Sequence, residues 1–146
     1  MLVARMAESL FKEGKEAEYS ELESISNSID DRTTPYLHKA LHAGIEDMSL
    51  DDMETYWYTR KAMCVSLWAL WHCDSAEEIL YKVIDAGGDA DTNASIAMFL
   101  AGLKYGYDAL PDEVEKLIDY NRLEEYVDKF SAFLESKEKK NSTTFE

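Results

Sequence analysis

The stretch RKAMCVSLWALWH, residues 60–72, decides the fold class. Ala62, Val65, Leu67, Trp68, Ala69 and Trp71 spread over most of a helical circumference instead of falling on alternate positions. A helix that is apolar nearly all round is one that other elements surround, so this segment is expected at the centre of a helical domain. Downstream, Ser75 and Glu78 form a capping-box pattern ahead of Ile79, Leu80, Val83 and Ile84, and Gly87-Gly88 ends that helix. A further helix is expected from about Asp91 to Tyr105, closed by Gly106. Pro111 opens another at DEVEKLI, and Leu123, Val127, Phe130 and Leu134 stripe the last.

Upstream, Leu2, Met6, Leu10 and Phe11 mark an amphipathic helix that breaks near Gly14. Ala17, Leu22, Ile25 and Ile29 mark a second helix, and Leu37, Leu41 and Ile45 after Pro35 a third. Ser49 reads as the cap of a short helical segment, SLDDMETYW. No run keeps a strict two-residue alternation, so the expected class is all-α. A single multi-helix domain is expected over residues 1–136, with a polar, frayed tail over 137–146.

Composition narrows the function classes. The chain has 146 residues with 15 basic and 30 acidic side chains, a formal charge of −15. That balance opposes wrapping a phosphate backbone or docking on an anionic membrane, so neither a nucleic-acid nor a membrane partner is expected. It leaves open metal cations and basic protein surfaces. Cys64 and Cys73 are too few for a disulfide framework and read as free thiols in a reducing compartment. No window reaches the roughly 18 apolar residues a membrane span needs, and the expected location is the cytoplasm.

Chemistry concentrates in Gly87-Gly88-Asp89-Ala90-Asp91-Thr92-Asn93. The two glycines free the backbone for a tight turn of close approach. Two carboxylates at i and i+2 and a hydroxyl at i+3 then fall in the first turn of a helix. There they can converge as the hard oxygen donors that suit Mg²⁺ or Mn²⁺. The plainer reading makes Asp89 and Asp91 helix caps and the glycines an ordinary terminator. Beyond the turn, Ala94, Ala97, Ala101 and Gly102 form a small-residue face for close helix packing.

The run GGDADTNASIAMFLAGLKYGYDALPDEVEKLI, with VSLWALWHCDSAEEILYKVIDA before it, resembles the C-terminal part of the ADP-ribosylglycohydrolase family. A glycine pair, two acids, a threonine, a second glycine stop and a proline recur in order with matching spacing. The likeness covers about residues 56–120, while residues 1–37 offer only acidic amphipathic helices. It implies an all-α fold, a pair of Mg²⁺ or Mn²⁺ ions and cleavage of a glycosidic bond to ADP-ribose. By position it makes Asp89, Asp91 and Thr92 metal ligands, with Gly87, Gly88 and Asn93 beside an ADP-ribose-type substrate. The family's other ligands, a Thr-Asp-Asp cluster far upstream with an early glutamate, are not matched, and the chain reads as beginning too late to hold them. Asp51 and Asp52, the latter 37 residues before Asp89, are the candidates to substitute. Two Mg²⁺ ions take about six oxygens each, and Asp89, Asp91 and Thr92 supply about four or five.

Other constellations are thinner. His38 and His42 at i, i+4, with Glu46 beyond, could hold a metal or be exposed polar residues. Tyr56, Trp57 and Tyr58 could stack on adenine or pack beneath the Trp68 helix. Three functions compete: half of a split hydrolase, a degenerate binder of ADP-ribose or a nucleotide, and an acidic protein that covers a basic partner without catalysis. The expected activity of the chain alone is none. The apolar residues 60–72 lead to the expectation of a homo-oligomer or a protein partner covering an exposed apolar face.

Overall fold

The computed structural model describes residues 1–52, 54 and 58–142, with 138–142 described by backbone alone. Among the described residues the secondary structure is helical throughout, with no strand. The helices are α1 (Leu2–Glu13), α2 (Tyr19–Ile29), α3 (Thr34–His42), α4 (Thr59–His72), α5 (Ala76–Asp85), α6 (Ala90–Tyr105) and α7 (Tyr120–Ser142). Short 3₁₀ turns at Asp31–Thr33, Ile45–Met48, Tyr107–Ala109 and Asp112–Lys116 join them. The chain divides into two compact units, Met1–Leu110 and Pro111–Glu146.

In the first unit α4 is the axis. Val65, Leu67 and Ala69 are wholly buried and Trp68 is 7% exposed, because α3, α5, α6 and α1 pack around this helix. Met63 and Trp71 of the same helix are partly buried. The small face of α6 lets it lie close to α4 and α5: Ala94, Ala97 and Ala101 are all buried. The far ends of α4 and α6 are clamped together. The Lys104 ammonium donates to the Leu70 carbonyl at 2.8 Å and pairs with Glu16 at 2.8 Å, and the Tyr105 hydroxyl donates to the Cys73 carbonyl at 2.8 Å. These donors satisfy two of the carbonyls that a helix end leaves open. Leu67→Ala, at a wholly buried position of the central helix, should lower the unfolding free energy by about 2–5 kcal/mol. Urea unfolding followed by circular dichroism measures this, and a loss near zero would place Leu67 outside the core.

Local capping follows the sequence where it is strongest. Ser75 accepts from the Glu78 backbone N–H at 3.1 Å, and the Glu78 carboxylate accepts from the Asp74 N–H at 2.8 Å. Gly106 stops α6 with φ of 86°. One segment departs from expectation. Ser49 ends the Ile45–Met48 turn in a left-handed conformation, φ 51°, and the chain turns inward to bury Leu50, with no helix among the described residues 49–52 and 54; residues 53 and 55–57 of the expected segment lie outside the described residues. Burial of that leucine fixes the local path over the weak helical propensity of SLDD. Tyr56 and Trp57 of the expected aromatic cluster lie outside the described residues, while Tyr58 sits 5.8 Å from the Tyr36 ring and under the Arg60 guanidinium.

In the second unit, the residues after Pro111 form the 3₁₀ turn Asp112–Lys116 where a helix was expected. Extended Leu117 ends it before a second α-helical turn can form, and such short pieces favour 3₁₀ geometry. Leu123, Val127, Phe130 and Leu134 do fall in one helix, α7. That helix continues to Ser142, past residue 137 where the polar tail was expected to begin; residues 143–146 lie outside the described residues.

Candidate functional site

The glycine pair makes the turn between α5 and α6. The chain leaves α5 with the Gly87 N–H on the Ile84 carbonyl at 3.1 Å, and then takes positive φ twice, 75° at Gly87 and 67° at Gly88. Ala90 donates to the Gly88 carbonyl at 2.8 Å and Asn93 to the Asp89 carbonyl at 2.9 Å, which starts α6. Asn93 is buried, Asp89 is half-buried, and Asp91 and Thr92 are exposed. Asp89 occupies the N-cap position, yet its side chain makes no cap hydrogen bond. The simple capping reading of Asp89 is thus not what the turn displays.

Fold topology brings a second segment to this turn. Asp51 Oδ1 accepts from the Gly88 N–H at 3.0 Å, across 37 residues of sequence. The fit is close: a Cβ added to Gly88 would lie 2.6 Å from the Leu50 carbonyl oxygen, and one added to Gly87 would lie 2.9 Å from Asp51 Oδ1. Asp51 is a candidate from its chemistry, as half of an Asp-Asp pair, and the structure puts its carboxylate against the motif. Asp52 follows it in an exposed turn. Behind this strap, the side chain of Lys61 on α4 is buried, 7% exposed, and donates to the Ser49 carbonyl. Lys61 was not singled out in the sequence. The available signal was a lysine next to Arg60 at the leading edge of the apolar run AMCVSLWAL.

The donor chemistry at the turn is of the oxygen type that hard divalent cations take. Its arrangement is incomplete: among the described residues no three of His, Cys, Asp and Glu come together as a group that could hold a metal ion. The described residues therefore do not form a closed cation site. The same holds for His38 and His42, whose rings lie 4.4 Å apart with no third ligand joining them among the described residues. Neither thiol is poised for chemistry: Cys64 and Cys73 are buried, and burial pushes the Cys64 thiol up to about 12 and raises that of Cys73.

A groove of about 760 Å³ opens elsewhere, between α1, α2, α4 and α6, floored by Leu2, Val3, Met63, Ile96 and Phe99. At its rim Arg60 pairs with Asp30 at 2.6 Å. Arg32 and Arg60 hold the Asp30 carboxyl down at about 2. None of residues 87–93 lines this groove, so the groove and the motif are separate features of the unit. Among the described residues no helix is long and apolar enough to cross a membrane.

Comparison with known proteins assigns the fold and the motif to one lineage. A family model described as ADP-ribosylglycohydrolase matches residues 1–142. The match reaches across α1, α2 and α3, so residues 1–37, where the sequence alone offers no family likeness, lie inside the family region. ADP-ribosylarginine hydrolase Tri1 of Serratia proteamaculans (strain 568) is 27% identical over 74 residues, which is 50% of this chain and 20% of that protein. No solved structure matches. With the helical fold, the glycine turn and a family match over nearly the whole chain in hand, the conclusion is direct: the chain belongs to the ADP-ribosylglycohydrolase family.

Proposed function

We propose that the chain carries one half of an ADP-ribosyl hydrolase centre. In this reading the α5–α6 turn takes an ADP-ribose-type ligand together with Mg²⁺ or Mn²⁺, through Asp89, Asp91 and Thr92, with Gly87, Gly88 and Asn93 shaping the approach. The remaining acids come from a second chain or chain segment, and hydrolysis of an N- or O-glycosidic bond to ADP-ribose needs both halves. The observation that carries this is Asp89: a half-buried carboxylate stands at the head of a 16-residue helix without serving as its cap. An acid there is well placed for a ligand and has no structural duty that a serine would not perform better. The name of the Serratia relative, an ADP-ribosylarginine hydrolase, makes ADP-ribosyl-arginine the first substrate to test. The buried free thiols are compatible with work in the reducing cytoplasm.

The half-site is tested by thermal melting. Millimolar Mn²⁺ should raise the melting temperature of the wild type, and Asp91→Ala should abolish the rise. With so few ligands the linkage stabilisation near the dissociation constant is about 1 kcal/mol or less, a shift of about 2–4 °C. A melting curve indifferent to Mn²⁺ would return the turn to a plain helix start.

A further inference from the structure

Lys61 lies in the first turn of α4 with its side chain buried, and its Nζ donates to the Ser49 carbonyl. Burying an ammonium is costly, and a methionine of similar length would fill the space without that cost. Its acceptor residue is itself unusual: Ser49 is held at φ 51°, a conformation that a residue other than glycine keeps only where its surroundings enforce it. From Ser49 the strap runs two residues to Asp51, whose carboxylate accepts from the Gly88 N–H. Leu50 between them is buried, with its carbonyl against Gly88. A continuous path of contacts thus leads from the buried ammonium through the left-handed serine and Asp51 to the glycine turn.

We propose that Lys61 is a positioning residue for the ligand turn: by holding the Ser49 carbonyl it presses the Ser49–Asp51 strap onto Gly87-Gly88 and fixes the turn in the form that presents Asp89, Asp91 and Thr92. The proposal rests on the reading of that turn as the ligand-binding element. It gives the buried charge a role that packing alone does not supply, since Ala62, Cys64 and Val65, which follow it on α4, are apolar and buried.

The test compares wild type with Lys61→Met, Lys61→Arg and Asp51→Ala. Three quantities are read: the melting temperature without ligand, the exchange rate of the Gly88 amide by NMR, and the melting shift produced by Mn²⁺ with ADP-ribose. Lys61→Met should melt within about 3 °C of wild type. Its Gly88 amide should exchange about tenfold faster or more, while amides in the middle of α4 and α5 keep their protection. The Mn²⁺ and ADP-ribose shift should vanish, and Lys61→Arg should restore it in part. Asp51→Ala breaks the next link at an exposed position that the fold tolerates, and should reproduce both the faster Gly88 exchange and the lost shift. Unchanged Gly88 exchange in Lys61→Met or Asp51→Ala would overturn the proposal. So would a general loss of protection through α4 and α5, which would make Lys61 merely structural. A wild type that gives no shift would instead overturn the proposed function, and Gly88 exchange would still decide the role of Lys61.

Discussion

Gly88→Ala should destabilise the first unit by about 2–4 kcal/mol, from about 1 kcal/mol for holding an L-residue at positive φ and about 1–3 kcal/mol for forcing atoms into a packed site. The second contribution is firm because the new Cβ would stand 2.6 Å from the Leu50 carbonyl oxygen, which is backbone and cannot swing away. Gly87→Ala meets a softer obstacle, the end of the Asp51 side chain at 2.9 Å, and should cost mainly the conformational strain at φ 75°. Gly102→Ala is the internal control: it lies inside α6 with nothing within 4 Å of an added Cβ. It should be neutral or stabilising by up to about 1 kcal/mol, the helix propensity difference. Urea midpoints for the three variants measure the order, and a Gly88→Ala protein as stable as Gly102→Ala would mean that the strap does not press on the turn.

The purified chain, given Mg²⁺ or Mn²⁺, should not release ADP-ribose from ADP-ribosyl-arginine or ADP-ribosyl-serine protein at a measurable rate. Cleavage of a ribosyl bond passes through an oxocarbenium-like state and needs the reacting groups held closely in place. Misplacement of a reacting group by about 1 Å can already cost on the order of a hundredfold. This chain offers one candidate ligand turn and no group of three possible metal-ligating side chains among the described residues. Asp51, the nearest candidate to make up the deficit, spends one carboxylate oxygen on the Gly88 N–H. Free ADP-ribose should bind weakly at best. Chromatographic assay of released ADP-ribose decides the matter: turnover at an ordinary enzymatic rate, lost in Asp89→Ala, would show that Asp51 or Asp52 has taken the place of the absent acids.

Helix content, the central place of residues 60–72, the Ser75 cap and the stop at Gly106 were legible because each depends on neighbours in sequence. The same locality explains why the GGDADT turn could be read as a turn. Three features were not legible. The burial of Leu50 turned a segment with helical capping signals into a strap, a choice made by the core and invisible in SLDD. Which four helices cover α4 depends on their arrangement in space, which the apolar pattern of residues 60–72 does not give. The Asp51–Gly88 bond joins residues far apart in the chain, and only the packing of α5 and α6 on α4 brings them together. Asp51 could be nominated from its chemistry, whereas its partner could not be.

The Leu50–Gly88 contact bears on how such a protein can diverge. The turn is shaped by backbone atoms: two left-handed glycines, a carbonyl oxygen from the strap and the amide that Asp51 engages. Backbone is the same whatever the letters are, so drift in the surrounding side chains leaves the turn alone as long as the helices stay where they are. A lineage built this way can change most of its residues and still hand down the same bend. Its inheritance is written in two glycines and in the space they leave empty.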